Sequence, residues 1–264
     1  IVEDNRYEMH VSFINRVRLG TSKFLFSTSR RFTDAYVAIS EHLYKRVEII
    51  SKGKAPVYMI PITVNLNYFT TNNYQRDKND LKIFYGGSFG VKDGLEYLIS
   101  AFDEVGKTHK GLKLILTGAG LEKDIERIKA KINQAVNKNR VIYKGFLSTA
   151  EYYSTLNSCD IFCMTRINSK FANAGFPFKL GEFLASGKAV IATNVGDVSN
   201  YLVNDVNALL INPDSVSELA EAIRQVVNDP AKIRIMGSAA RKTAESNFDS
   251  EKVGLKLLSI FESV

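Results

Sequence analysis

Residues 175–188 read Gly-Phe-Pro-Phe-Lys-Leu-Gly-Glu-Phe-Leu-Ala-Ser-Gly-Lys. Glycine and lysine together suit a phosphate site, because glycine lets backbone N–H groups approach an anion and lysine adds a full charge. A nucleotide triphosphate loop needs Gly, four residues, Gly-Lys, then a Ser or Thr for magnesium. Here five residues separate Gly181 from Gly187, and Ala189 follows Lys188. The segment also leaves a helix to enter a strand, the reverse of that loop. An ATPase-type loop is excluded on all three counts.

The other end of the same stretch has more to offer. Pro177 suits a first helical turn, where its missing N–H costs nothing, and Gly175 frees the backbone before it. The N–H groups of about Phe178 to Leu180 then lie unpaired at a positive helix end, beside Lys179. Glu182 stands three residues beyond Lys179, on roughly the same side. A carboxylate there can accept from two sugar hydroxyls, or it can simply pair with Lys179. Two further glycine pairs, Gly86-Gly87 before Ser88 and Gly118-x-Gly120, end apolar runs. Neither completes a dinucleotide fingerprint, since Lys123 stands where the second pair needs its third glycine. By itself each is a tight strand-to-helix turn.

These residues are positioned by a regular alternation from residue 81 onward. Short apolar runs at 81–87, 112–118, 140–145, 160–165, 188–193 and 207–212 alternate with helix-period segments at 94–107, 121–136, 148–157 and 177–187. The pattern predicts a doubly wound α/β domain, Rossmann-like, with a parallel sheet buried on both faces. Both glycine pairs then fall at carboxyl ends of strands, where open α/β sheets bind ligands. Three more helices are expected at 215–228, 230–245 and 250–262. Residues 1–66 hold too few elements for a core of their own and look like the remnant of a preceding α/β domain. Polar residues 67–80, with four Asn, read as an inter-domain linker. Residues 81–264 form the main domain, its last helix free to pack back on the N-terminal piece.

Composition narrows the class. With 45% hydrophobic and 24% charged residues the chain is globular in type, with no apolar run long enough for a membrane helix. Of a net charge of +7, residues 1–60 carry ten Lys and Arg against six Asp and Glu. That basic piece could meet anionic lipid, but no nucleic-acid motif is present. Cys159 and Cys163 lack further ligands for zinc and suit buried positions in a reducing compartment. No metal site and no cofactor are expected. The chain begins at Ile1 without a signal pattern, which suggests a fragment of a cytoplasmic protein, possible peripheral membrane contact included.

The run "PFKLGEFLASGKAVIATNVGDVSNYLVNDVNALLINPDSVSELAEAI" resembles the donor half of retaining glycosyltransferases of the GT-B fold, family 4 (group 1). The resemblance extends back through "YGGSFGVKDGLEYLISAF", "LKLILTGAG" and "VIYKGFLSTAEYYSTLNSCDIFCM", and forward to "MGSAARKTAESNFDSEKVGLKLLSIFE". "DAYVAISEHL" and "MIPITVNLNYF" are similar to the end of that family's acceptor domain and its hinge. The resemblance implies that Glu182 binds the donor ribose and that Gly175, Phe176, Pro177, Phe178 and Lys179 cradle diphosphate and sugar. It also implies that Gly86, Gly87 and Ser88 lie near the diphosphate, that Gly118 and Gly120 line the same cleft, and that Phe146 stacks on the base.

Three departures stand out. The family's paired glutamate, eight positions before Glu182, is replaced by Ala174. Ser88 stands where an Arg is common, and Asp93 where a Lys precedes Gly94. The diphosphate cation is therefore open among Lys92, Lys179 and Arg166. The implied activity is transfer of a sugar from a nucleotide diphosphate sugar to a saccharide or lipid-linked acceptor hydroxyl in polysaccharide or glycoconjugate synthesis. It would retain anomeric configuration and need no metal, with this segment alone inactive. A nucleotide-sugar epimerase or phosphorylase on the same fold, or a non-catalytic nucleotide-binding module, are the alternatives.

Overall fold

A computed structural model of the chain describes residues 21, 24–69 and 80–264. The main sheet has six strands: β3 (Lys82–Ser88), β4 (Lys113–Ala119), β5 (Val141–Tyr143), β6 (Ile161–Met164), β7 (Ala189–Thr193) and β8 (Leu209–Ile211). All pair in parallel, in the order β5-β4-β3-β6-β7-β8. The chain therefore winds outward from β3 in one direction and from β6 in the other, which makes the β3–β6 boundary the topological switch point.

The period of two along each strand feeds two separate layers. Ile83 and Tyr85, Leu114 and Leu116, Ile161 and Cys163, and Ala189 and Ile191 all point into one apolar cluster. It is closed by Leu98 and Phe102 of α2 (Leu95–Val105), Ile128 of α3 (Glu122–Gln134) and Ile223 of α7 (Val216–Asn228). The alternate residues Phe84, Ile115, Phe162, Met164, Val190 and Ala192 point the other way. They meet Leu156 of α4 (Thr149–Asn157), Leu180 and Phe183 of α6 (Phe178–Ala185), and Ala240 and Ala244 of α8 (Pro230–Asn247). Strands buried on both faces must be apolar throughout, which is why they read as continuous runs. Cys159 and Cys163 are buried within these layers as thiols, outside any disulfide.

Pairing across the switch point is short. β3 runs beside β4 from Lys82 to Ser88, but beside β6 only at Ile83 and Phe84. Beyond Phe84 the two strands no longer pair, and residues 86–88 and 165–166 flank the switch point, where open α/β sheets have their crevice.

The N-terminal piece is a βαβ unit: β1 (Tyr36–Ala38), α1 (Glu41–Ser51) and β2 (Val57–Met59), the strands parallel. A last helix, α9 (Ser250–Ser263), reaches it, with Val253 and Ile260 packed on Ile60 and Lys256 Nζ donating to the Met59 carbonyl at 3.0 Å. Residues 70–79 of the expected linker lie outside the described residues, as do most residues before 24. The linker's first residues do not hang free: Phe69 is buried and the Tyr68 carbonyl accepts from Asn157. No described helix is long and apolar enough to cross a membrane.

Several strands are shorter than their apolar runs. The run 207–212 yields a strand only at Leu209–Ile211, where β7 offers partners at residues 191–193. One helix, α5 (Lys170–Ala174), was not expected from the sequence. At five residues it is too short to display a period, and its start is fixed by Ser169, whose hydroxyl accepts from the Ala172 N–H.

Candidate functional site

The first wall of the crevice is made of backbone. Gly86 lies over aromatic rings; a Cβ there would meet Phe84 at 2.8 Å and Tyr152 at 3.0 Å. At Gly118, φ is +138° and a Cβ would fall 1.8 Å from the Gly87 carbonyl oxygen. No side chain can occupy that point, so the carboxyl ends of β3 and β4, where Gly87 pairs with Gly118, press directly together. A turn joins them, with the Gly145 carbonyl accepting from the Gly118 N–H at 2.9 Å and the Thr117 hydroxyl at 2.8 Å. Phe146 follows it and projects outward, 83% exposed. Gly120 packs against Phe89.

The Ser88 hydroxyl donates to Asp93 Oδ2 at 2.5 Å. Asp93 lies in a single helical turn, Val91–Asp93, and is buried. Burial raises its carboxyl, opposed by the positive charge of Lys92, the Ser88 hydrogen bond and Arg166. Its carbonyl accepts from the Thr165 hydroxyl at 2.8 Å, while the Lys92 carbonyl accepts from the Ile167 N–H at 3.0 Å. Gly94, at φ +65°, leaves room for the Thr165 carbonyl. The turn after β3 is thus stitched to the end of β6. Lys92 Nζ lies 4.9 Å from the centre of the Phe171 ring, against α5, while half-buried Arg166 follows β6.

The second wall is made of side chains. Pro177 is the N-cap of α6, one position earlier than its expected place in the first turn, and it supplies no capping side chain. Leu180 N–H bonds back to the Pro177 carbonyl at 3.0 Å. That corrects the expected trio of free donors: Phe178 and Lys179 N–H remain at the helix end. Phe176 also needs correction as a side-chain contact. Its ring is 2% exposed and packs on Tyr201 and Phe248, so only its backbone can face the crevice. An apolar neighbour of a loop is drawn into the core when the core has space for it. Phe178 is half exposed, and Gly175 precedes the turn.

Glu182 is held by three donors. Its Oε2 accepts from the Tyr152 hydroxyl at 2.6 Å and from Lys179 Nζ at 3.0 Å. Its Oε1 accepts from the Tyr153 hydroxyl at 3.3 Å. Lys179 Nζ also lies 4.2 Å from the centre of the Tyr152 ring. Burial, then the Glu182 charge, raises Tyr152 far above the ordinary phenol range and pushes Tyr153 up to about 12. Both remain donors at any working pH. The Tyr152 ring touches Gly86 on one wall and its hydroxyl reaches Glu182 on the other, so it joins the two.

Tyr152, Tyr153 and Asp93 escaped sequence reasoning. An adjacent Tyr-Tyr pair on a helix carries no spacing that points thirty residues onward to Glu182. Asp93 was noticed only as a missing lysine. Ala174, at the end of α5, is buried, and its carbonyl accepts from the Ser40 hydroxyl at 2.7 Å. Beside it, the Glu41 N–H donates to Asp197 at 2.6 Å and Asn200 donates to Glu41 at 3.1 Å. The N-terminal piece therefore docks where the resemblance implies a glutamate.

Comparison with known proteins agrees with this architecture. The chain is 24% identical to a glycogen synthase of Mycobacterium tuberculosis over 232 residues, 88% of this chain and 54% of that protein. It is 26% identical to a GDP-mannose-dependent monoacylated phosphatidylinositol monomannoside mannosyltransferase of Corynebacterium glutamicum, over 65% of this chain and 44% of that protein. It thus spans about half the length of these relatives. The solved structure of Anabaena HepE in complex with UDP and glucose superposes with a TM-score of 0.78 at 19% identity, covering 100% of this chain and 70% of that one. Sucrose-phosphate synthase of Thermosynechococcus elongatus superposes at 0.77 with 20% identity, covering 99% and 64%. These two likenesses establish the same fold. The family model for glycosyl transferases group 1 matches residues 69–243, well over half of the sequence, and the chain belongs to that family.

Proposed function

We propose that this chain is the donor-binding part of a glycosyltransferase that moves a sugar from a nucleotide diphosphate sugar to an acceptor hydroxyl. The carrying observation is the meeting, at the switch point, of the 86–88 glycine turn, the uncapped start of α6 and the Glu182 carboxylate. The diphosphate would lie between the glycine turn and the Phe178 and Lys179 N–H groups. Its oxygens gain charge as the glycosidic bond breaks, and oriented N–H groups with Lys179 and Arg166 stabilise that charge. Removing one such donor raises the barrier by roughly 3 kcal/mol in enzymes generally. Glu182 would accept from the ribose hydroxyls, and Phe146 would lie against the base. Retention of configuration and independence of metal belong to the same proposal, as does a saccharide or lipid-linked acceptor held largely by the acceptor domain whose end the N-terminal piece resembles. The basic N-terminal piece would keep a cytoplasmic enzyme near anionic lipid.

Calorimetric titration with UDP, GDP and their sugars tests the reading directly. Micromolar to millimolar binding of at least one nucleotide is expected. A folded chain that binds none overturns it. Ala174 supports a second possibility, a nucleotide-binding module without transfer. Nucleotide binding by the complete protein with neither donor hydrolysis nor transfer to any acceptor would favour that module.

A further inference from the structure

The two tyrosines that reach Glu182 are not equivalent. Tyr152 is fixed. Its ring lies edge-on to Phe84 at 5.9 Å between centroids, beneath Gly86, where even an added methyl would collide with it. Its 2.6 Å bond to Oε2 is short for a hydroxyl on a carboxylate. Tyr153 is held by something else. Its ring stacks on Tyr68, centroids 4.3 Å apart and 8° from parallel, and lies edge-on to Phe69 at 5.5 Å. Its 3.3 Å bond to Oε1 is beyond the usual O–H···O range, so the ring has been placed by the hinge aromatics and the hydroxyl only reaches toward the carboxylate.

Two hydroxyls donating to the two oxygens of one carboxylate is also what a vicinal diol does. We infer that Tyr152 is a positioning residue that locks the Glu182 carboxylate for diol recognition, and that the Tyr153 hydroxyl is a stand-in that yields its place on Oε1 to a hydroxyl of the bound nucleotide. The inference rests on the donor-site proposal above and goes beyond it by dividing the work between two residues. Oε2 is committed to the protein through Tyr152 and Lys179. Oε1 has only long partners, the Tyr153 hydroxyl and Lys179 Nζ at 3.3 Å each, so an incoming hydroxyl gains a full bond there and displaces a poor one. Lys179 stays on the carboxylate in either state through its 3.0 Å bond to Oε2.

The test compares the unaltered chain, Tyr152→Phe and Tyr153→Phe, each titrated with UDP and with 2′,3′-dideoxy-UDP; GDP and its dideoxy form serve if guanine is the base. The unaltered chain binds UDP at least tenfold more tightly than the dideoxy form. Tyr152→Phe loses about five- to tenfold in UDP affinity, in line with one ordinary hydrogen bond, and leaves dideoxy-UDP unchanged. Tyr153→Phe keeps UDP affinity within about twofold, since its bond is surrendered in the complex. Equal losses for both ligands in Tyr152→Phe would show general damage and overturn the inference. So would a loss in Tyr153→Phe as large as that in Tyr152→Phe. If the unaltered chain binds UDP and dideoxy-UDP equally, the nucleotide site stands but Glu182 does not read the diol. If it binds no nucleotide at all, the donor-site proposal itself fails. Thermal unfolding of each variant, read beside the titrations, separates misfolding from lost recognition, and Tyr153→Phe remains decisive if Tyr152→Phe does not fold.

Discussion

The two walls of the crevice are built on opposite plans. Across β3 and β4 the surface is bare main chain, and the proposed phosphate contact depends on what is missing: Gly86, Gly87, Gly118 and Gly120 leave no side chain at the strand ends. Across α6 and α4 the surface is a network around Glu182, and the proposed ribose recognition depends on side chains that are present, Glu182, Lys179 and Tyr152, with Tyr153 giving way. A backbone wall resists change because its spacing is part of the fold. A side-chain wall can be altered at one atom with the fold intact, and it is where recognition of a particular ligand is most easily adjusted.

The contrast predicts a graded set of outcomes. The largest effect belongs to Gly118→Ala. Its Cβ would sit 1.8 Å from the Gly87 carbonyl at a φ of +138°, so urea unfolding should show a loss of about 3 kcal/mol or more. Gly145→Ala is the control. There φ is +67° but nothing lies within 4 Å, and a loss of about 1 kcal/mol is expected. Equal losses at the two sites would mean that the strand ends are not pressed together as described.

On the other wall, Glu182→Ala should leave the unfolding midpoint close to its original value while weakening nucleotide binding by roughly 2 kcal/mol. Unchanged affinity by calorimetry would reduce Glu182 to an ordinary partner of Lys179. Phe146→Ala removes a ring that is 83% exposed. Stability should move by less than about 0.5 kcal/mol, and nucleotide affinity should fall by about 1 kcal/mol if the ring stacks on the base.

The smallest effect concerns Asp93. Burial raises its folded pKa above the ordinary 3.8, so the folded chain holds a proton there that the unfolded chain releases. The associated stability is complete below the ordinary value and is lost as pH rises through the raised folded value. Asp93→Asn should flatten the pH dependence of the melting temperature across that mildly acidic window. It should also tighten inorganic pyrophosphate binding at a pH above that window, where the aspartate is ionised, because a negative charge near Lys92 and Arg166 is gone. A melting profile unchanged by the substitution would contradict the burial described.

Much of the fold was legible because the sheet is covered on both faces. Runs such as residues 112–118 and 188–193 could be nothing but interior strands once they alternated with amphipathic segments. The site was legible by halves. Glycines announce a backbone wall, since they mark where a side chain cannot go, and Glu182 with Lys179 shows a local helical spacing. The other half arises from contacts between distant segments. Tyr152 reaches Glu182 across thirty residues, Asp93 is bound to Thr165 across 72, and nothing near either residue records its partner. Phe176 misled for a related reason: its neighbours in sequence face the crevice, but its ring found Tyr201 and Phe248.

The bond from Ser40 to the Ala174 carbonyl spans 134 residues. Val64 makes a similar leap, donating to Phe248 and accepting from Ser250. During synthesis the N-terminal piece therefore leaves the ribosome first and is completed last. At about 5–20 residues per second, Ser40 waits on the order of ten seconds for Ala174 to be made. Over that interval Ile62, Val64 and Phe69, buried in the finished protein, have no surface to cover them. The same long-range bonds that seat the N-terminal piece beside α5 thus leave its apolar residues waiting longer for their partners than those of the main domain, whose βα units are local.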